Sequence, residues 1–172
     1  MYKYLFLILL IFAGCATEAA AVDVTELTPV LAIPPAPVQI AEPFTFEFRG
    51  TTINLNQNIA EVLPSLGEPL GIHETPSCAF EGYDRIFRFS GVQLHTFPQG
   101  DHDYIQIISL WDDSVSTEEG VYIGASWDNV VSSYGTNYVQ EFNKITFTRS
   151  NTTLSFYVQN NTVIEITYAL IF

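Results

Sequence analysis

Two stretches, Asn58-Ile59-Ala60-Glu61-Val62-Leu63-Pro64-Ser65-Leu66-Gly67 and Ser126-Trp127-Asp128-Asn129-Val130-Val131-Ser132-Ser133-Tyr134-Gly135, decide how this chain is read. They lie sixty-eight residues apart, and their apolar residues fall at 59, 62, 63, 66 and at 127, 130, 131, 134. Both sets are i, i+3, i+4, i+7, the stripe of a short amphipathic helix. Asn58 and Ser126 are capping residues, and Glu61 stands where a capping box would put it. Gly67 and Gly135 suit the left-handed position that closes a helix. Pro64 is expected to kink the first helix near its end, because it lacks the N–H that an inner turn needs. Val62, Leu63, Val130 and Val131 are expected in the core.

Outward from each helix the pattern changes from helical to alternating. Thr52–Leu55 and Gly120–Ile123 read as extended segments before the two helices, with a further strand at Phe44–Phe48. After the first helix come Arg85–Ser90, Val92–Phe97 and Tyr104–Trp111. After the second come Ile145–Arg149, Thr153–Val158 and Val163–Tyr168. Ser90-Gly91, Gly100-Asp101, Ser150-Asn151 and Asn160-Asn161 separate these runs with turn residues. The expected fold is α+β, a tandem duplication of a short helix plus an antiparallel meander, with both helices on one sheet face. The expected divisions are 1–14 as a signal peptide, 15–43 as a tether and 44–172 as the body. Within the body, repeat one is 44–111 and repeat two 112–172.

A capped helix ending in Gly and followed by a meander, given twice, resembles the beta-lactamase-inhibitory-protein-like fold. The small lipoprotein of the outer-membrane assembly machinery resembles a single unit. Pro76-Ser77-Cys78-Ala79-Phe80-Glu81-Gly82, Gly100-Asp101-His102-Asp103-Tyr104 and the stretch from Asp112 to Gly124 are similar to uncharacterised lipoproteins of Gram-positive gut bacteria. The fold resemblance implies protein–protein binding, although fold alone does not determine function.

The N-terminus reads as an address. Lys3 precedes a short apolar core, Leu5–Ala13, of about 1.5 Å per residue, too short to cross a hydrocarbon layer of about 30 Å. This fits an export signal. Phe12-Ala13-Gly14-Cys15 resembles a lipobox, with Phe12 where Leu is usual, and implies diacylation (palmitate-type) of Cys15 as the new N-terminus. An ordinary signal cleaved near Ala19–Ala21 is the alternative. Five of the nine prolines fall within residues 16–43, as in a semi-extended spacer. The expected location is the extracytoplasmic side of the cell membrane, held by lipid.

Of 172 residues, 48% are hydrophobic and 14% aromatic, which excludes a disordered chain. Six Lys and Arg against 19 Asp and Glu give −13, and the phosphate backbone of nucleic acid would be repelled. An anionic membrane surface would repel the body too, so only the lipid would hold it there.

No catalytic constellation stands out. Cys78, with His73 five residues away, lies among Glu74, Glu81 and Asp84, which would raise its thiol pKa; a small buried residue is the expected role. Asp101, Asp103, Asp112, Asp113, Glu118 and Glu119 could attract a hard cation, but the calcium-loop spacing is missing and Asp is an ordinary turn residue. His73, His95 and His102 have no zinc spacing. No cofactor, metal or enzymatic role is assigned.

Alternation directs Phe87, Phe89, Ile145, Phe147, Leu154, Phe156, Ile164 and Ile166 toward the helices. It leaves Arg88, His95, Thr146, Thr148, Ser155, Tyr157, Glu165 and Thr167 on the water face. The expected function is a protein-binding module whose partner, another envelope or extracellular protein, meets Arg88, His95, Tyr157 and Glu165, with Arg88 and Tyr157 as anchors. A surface hydrolase or carbohydrate-active enzyme with an acidic site and a purely structural envelope protein are the alternatives. Cys15→Ser is expected to leave an uncleaved precursor or a released protein. Fractionation with a mass measurement checks this, and a processed variant still in the membrane fraction would exclude the lipobox.

Overall fold

The computed structural model describes residues 41–172. The expected signal peptide, Cys15 and all but the last three residues of the expected tether lie outside the described residues. The described chain is α+β, with two eight-residue helices over a large antiparallel sheet. A hairpin, β1 (Thr45–Phe48) and β2 (Thr51–Asn54), leads into helix α1 (Ile59–Leu66). Then come β3 (Gly71–Pro76), β4 (Tyr83–Arg88), β5 (Val92–Gln99) and β6 (His102–Leu110). Helix α2 (Trp127–Tyr134) precedes β7 (Val139–Glu141), β8 (Lys144–Arg149), β9 (Thr152–Gln159) and β10 (Thr162–Leu170). The strand order is β3-β4-β5-β6-β10-β9-β8-β7, so the two meanders meet where β6 pairs with β10.

Both helices start and stop where their caps dictate. The Asn58 side chain accepts from the Ala60 N–H, the Ser126 side chain from the Asn129 N–H, and Gly67 and Gly135 sit at φ 74° and 81°. The capping box does not close, because the Glu61 carboxylate accepts instead from the Gln57 amide at 3.3 Å. Pro64 does not end α1. It removes one inner hydrogen bond, and the helix runs on to Leu66, where the Gly67 N–H reaches the Leu63 carbonyl at 3.1 Å.

The inward residues of the sheet, the hairpin and the helices form one core, with Phe46, Ile53, Phe89, Leu94, Ile105, Val130, Leu154 and Phe156 fully buried. Val62 joins it; Leu63 is only partly buried against it, and Val131 is half-buried. A narrower stripe suffices because each helix has barely two turns to cover the sheet.

The two meanders match closely. β5 and β9 each have eight residues, β6 and β10 nine, and each pair is offset by sixty. Leu94 opposite Ile108 becomes Leu154 opposite Tyr168. In both, the chain just before the helix bonds to the last strand beside a bulge. Asn56 N–H meets Ile105 C=O and Ile105 N–H meets Gln57 C=O at 2.7 and 2.9 Å; Gly124 N–H meets Val163 C=O and Val163 N–H meets Ala125 C=O at 2.8 and 2.9 Å. The bulged residues are Gln106 and Ile164, each next to the residue so engaged.

That bulge overturns one expectation. Ile164 is 46% exposed, because Val163 takes the inward place and the extra residue shifts the alternation. The other seven residues expected inside are buried. Residues 68–84 and 136–144, which lie between the helices and the first expected strands at Arg85 and Ile145, contain two further strands, β3 and β7, exposed along their whole length. Gly120–Ile123 forms no strand; Gly120, at φ 82°, closes a turn in which its N–H bonds the Thr117 carbonyl at 2.9 Å.

Ile164→Thr is therefore expected to change unfolding free energy by no more than about 0.5 kcal/mol. Ile166→Ala should cost about 2–5 kcal/mol. Urea unfolding of the two variants checks the difference, and equal losses would reject the bulge assignment.

Candidate functional site

One sheet face takes the helices, and the register places the sequence-selected residues on the other. A cross-strand row runs Arg88, Gln93, Ser109, Thr167, Ser155, Thr146, between Gly71 on one edge strand and Val139 on the other. A neighbouring row holds His95, between Ile86 and Ile107, and ends at Thr148. Tyr157 stands opposite Glu165 on one side and Lys144 on the other.

The four expected partner-binding residues thus share a face but form two pairs. His95 is diagonal to Arg88 on β5 and β4, and Tyr157 faces Glu165 on β9 and β10. Four strand spacings separate β4 from β9, about 19 Å. Each pair has a cation against an aromatic ring. The Arg88 guanidinium lies 5.6 Å from the Trp111 ring centroid and the Lys144 ammonium 5.8 Å from that of Tyr157. Trp111 is 45% exposed, so this contact sits at the surface.

Two residues of this face hold polar groups out of reach of water. Ser155 is buried, with its hydroxyl 3.0 Å from that of Thr146; a small side chain in mid-sheet is covered by its neighbours. His95 is half-buried between two isoleucines, and its Nε2 has no hydrogen-bond partner among the described residues. Burial disfavours the imidazolium and holds its pKa below the ordinary value.

Cys78 was expected to be buried, yet it is exposed. It rides on the turn between β3 and β4, where the Ser77 N–H bonds the Gly82 carbonyl at 3.0 Å and the Ser77 hydroxyl accepts from the Phe80 N–H at 3.2 Å. Phe80 of the same turn packs its ring 5.0 Å from that of Phe97, while the Cys78 side chain stays exposed.

Of the six acidic residues that could attract a cation, Asp103, Asp112, Glu118 and Glu119 are engaged locally. Asp103 and Glu74 both pair with Arg85, Glu119 accepts from the Tyr134 hydroxyl and lies 3.7 Å from Arg149, and Glu118 accepts from Thr45 at 3.3 Å. Hydrogen bonds from the Ser114 hydroxyl and N–H hold the Asp112 carboxyl below its usual range. Among the described residues no three His, Cys, Asp or Glu side chains converge as metal ligands.

Sequence reasoning missed Phe142. It forms the tip of the β7–β8 hairpin at φ 55° and is 98% exposed, between a hollow of about 290 Å³ shared with Trp127 and Val158 and one of about 570 Å³ shared with Lys144 and Tyr157. No periodicity marks a loop tip. A second aromatic group, Phe80, Phe97 and Phe172, lines a hollow of about 540 Å³ at the far end of β5, and Tyr104 packs against Phe97 at 6.0 Å.

No family model matches the chain, and no curated protein matches it. Among solved structures, an extracellular protein containing an SCP domain from Bacillus anthracis superposes on 67% of this chain and 43% of its own, with 11% identity and a TM-score of 0.40. The chain therefore spans less than half the length of that protein.

Because the unfolded chain binds a proton at His95 near pH 6.5 and the folded chain only below that, stability should fall as pH drops through about 6.5. His95→Gln should flatten this loss relative to the parent. Thermal unfolding at pH 7.5 and 5 checks it, and identical losses would reject a neutral buried imidazole.

Proposed function

We propose that this chain is a lipid-anchored, extracytoplasmic protein-binding module, built as a tandem duplication of a helix-plus-meander unit, that docks another protein on its helix-free sheet face. One observation carries the reading: no described element covers this face, and it presents two cation–aromatic pairs, Arg88–Trp111 and Lys144–Tyr157. Arg, Tyr and Trp are the residue types that dominate interface energies. Phe142 adds a third anchor, its exposed ring lining one hollow together with Lys144 and Tyr157.

The duplication is supported by the common sixty-residue offset of the paired strands and by the bulge repeated beside each helix entry. Like the resemblance to beta-lactamase-inhibitory-protein-like proteins, it favours a binding role. The extracytoplasmic location and the Cys15 anchor rest on the signal-like N-terminus and on Ala13-Gly14-Cys15.

The test uses the full chain with a photo-crosslinking residue in place of Thr148 on the open face, or of Ser132 on α2. A partner captured from the first site and not the second is then purified and its affinity measured. Arg88→Ala and Tyr157→Ala should each weaken it by about tenfold or more. If both bind as the parent does while changes in the β3–β4 turn, residues 77–82, or in residues 112–120 abolish binding, those loops are the site and the face is not.

A further inference from the structure

The two edges of the sheet are unlike. β7 has three residues and stops at the Phe142 turn, a short edge that offers a foreign strand little to pair with. β3 has six residues, all exposed, and no described strand pairs with its outer side. Its register with β4 says which backbone groups are free. Ser77 and Gly82 form a hydrogen-bonded pair at 3.0 Å, and such pairs alternate in an antiparallel ladder. Residues 75, 73 and 71 therefore bond inward to β4, and Ile72 and Glu74 turn their N–H and C=O groups to the open side.

The side chains on this edge are equally specific. Ile72 lies opposite the buried Phe87, on the core side of the sheet, yet is 53% exposed; Leu70, just before β3, donates its N–H to the Arg88 carbonyl at 2.7 Å and is 76% exposed. Glu74 follows on that same side. Residues 68–84 carry Glu68, Glu74, Glu81 and Asp84 and no Lys or Arg. The nearest cation, Arg85, is already shared between Glu74 and Asp103.

We propose that β3 is a strand-addition site for an extended, basic segment of a partner protein. The partner strand runs antiparallel to β3 and places a Lys or Arg beside Glu74, then an apolar residue two positions later beside Ile72, with a second apolar residue near the exposed Leu70 where β3 begins. Backbone hydrogen bonds supply the docking and the alternate side chains supply the selection. The acidic edge argues against a second copy of this chain, whose own β3 would bring like charge to like charge. This site is separate from the helix-free face of the proposed function and stands or falls without it.

The probe is the blocked peptide Thr-Lys-Thr-Val-Thr-Val-Thr, with two controls: Glu in place of Lys, and N-methylation of alternate amides. Titrated into the full chain, the Lys peptide should slow hydrogen exchange at the Ile72 and Glu74 amides and leave Val139 and Glu141 unchanged. The Glu and N-methyl peptides should not. Ile72→Pro removes an outward N–H and should weaken binding about tenfold or more, while Ile72→Thr keeps it. Glu74→Lys should reverse the preference in favour of the Glu peptide, a readout that does not depend on the proline variant folding.

Equal binding of Lys and Glu peptides, or protection away from β3, overturns the proposal. So does a dimer that Ile72→Pro converts to monomer, which would assign the edge to a second copy. Protection of Ile72 and Glu74 without peptide, lost when residues 1–40 are removed, would assign it to the chain's own N-terminal segment. Arg88→Ala and Tyr157→Ala should leave peptide binding unchanged, so failure here and failure of the face remain distinct.

Discussion

Everything in the sheet depends on one short seam. β6 and β10 pair over four positions, from Ile107 opposite Ala169 to Leu110 opposite Ile166. This is the pairing that makes two meanders into one eight-stranded sheet, and its inward side chains, Ile108, Leu110, Ile166 and Tyr168, are almost completely buried. The seam also sets the distance between Arg88 and Tyr157, because each belongs to a different meander. A slip of one residue would turn every side chain of one half to the other face. The bulges at Gln106 and Ile164 lie on these same two strands, where they bend each strand to meet the chain entering a helix.

What could be read in the sequence, and what could not, follows burial. The helices were legible because caps and a 3.6-residue stripe coincide at Asn58–Gly67 and Ser126–Gly135. Phe87, Leu154 and Phe156 were legible because a strand covered on one side alternates. β3 and β7 were not, since an edge strand with no buried side chain has no pattern to show; backbone hydrogen bonds alone define it. Ile164 was misassigned because a bulge breaks the period without leaving a mark in composition. Cys78 was misassigned because a small apolar residue reads as core unless the turn carrying it is known. The candidate face was legible as a set of residues and not as an arrangement: alternation put His95 and Arg88 on one side but could not show that Ile86 and Ile107 enclose the imidazole.

Two tyrosines mark the packing of the second half, Tyr168 buried and Tyr134 partly buried against the core. Burial, followed by the neighbouring Tyr168, keeps Tyr134 protonated far above the ordinary phenol range, and burial followed by the Glu119 charge does the same for Tyr168. Both rings lie over the same part of the core, Tyr134 at 5.3 Å from Phe147 and from Phe156.

Phe44 reaches into this group from the very start of the described fold. Its ring meets Tyr134 and Tyr168 edge-on at 6.3 and 6.4 Å, the Arg149 guanidinium lies 4.4 Å from its centroid, and its N–H donates to the Thr152 hydroxyl at 2.9 Å. The first residue of the first half is thus fastened to α2, β8, β9 and β10 of the second. A mechanical load arriving along the preceding chain would be borne by this aromatic latch before it reached the β1–β2 hairpin. To peel the hairpin away, such a force would first have to draw an aromatic ring out of the opposite half, so pulling on the chain strains the link between the halves together with its own attachment point.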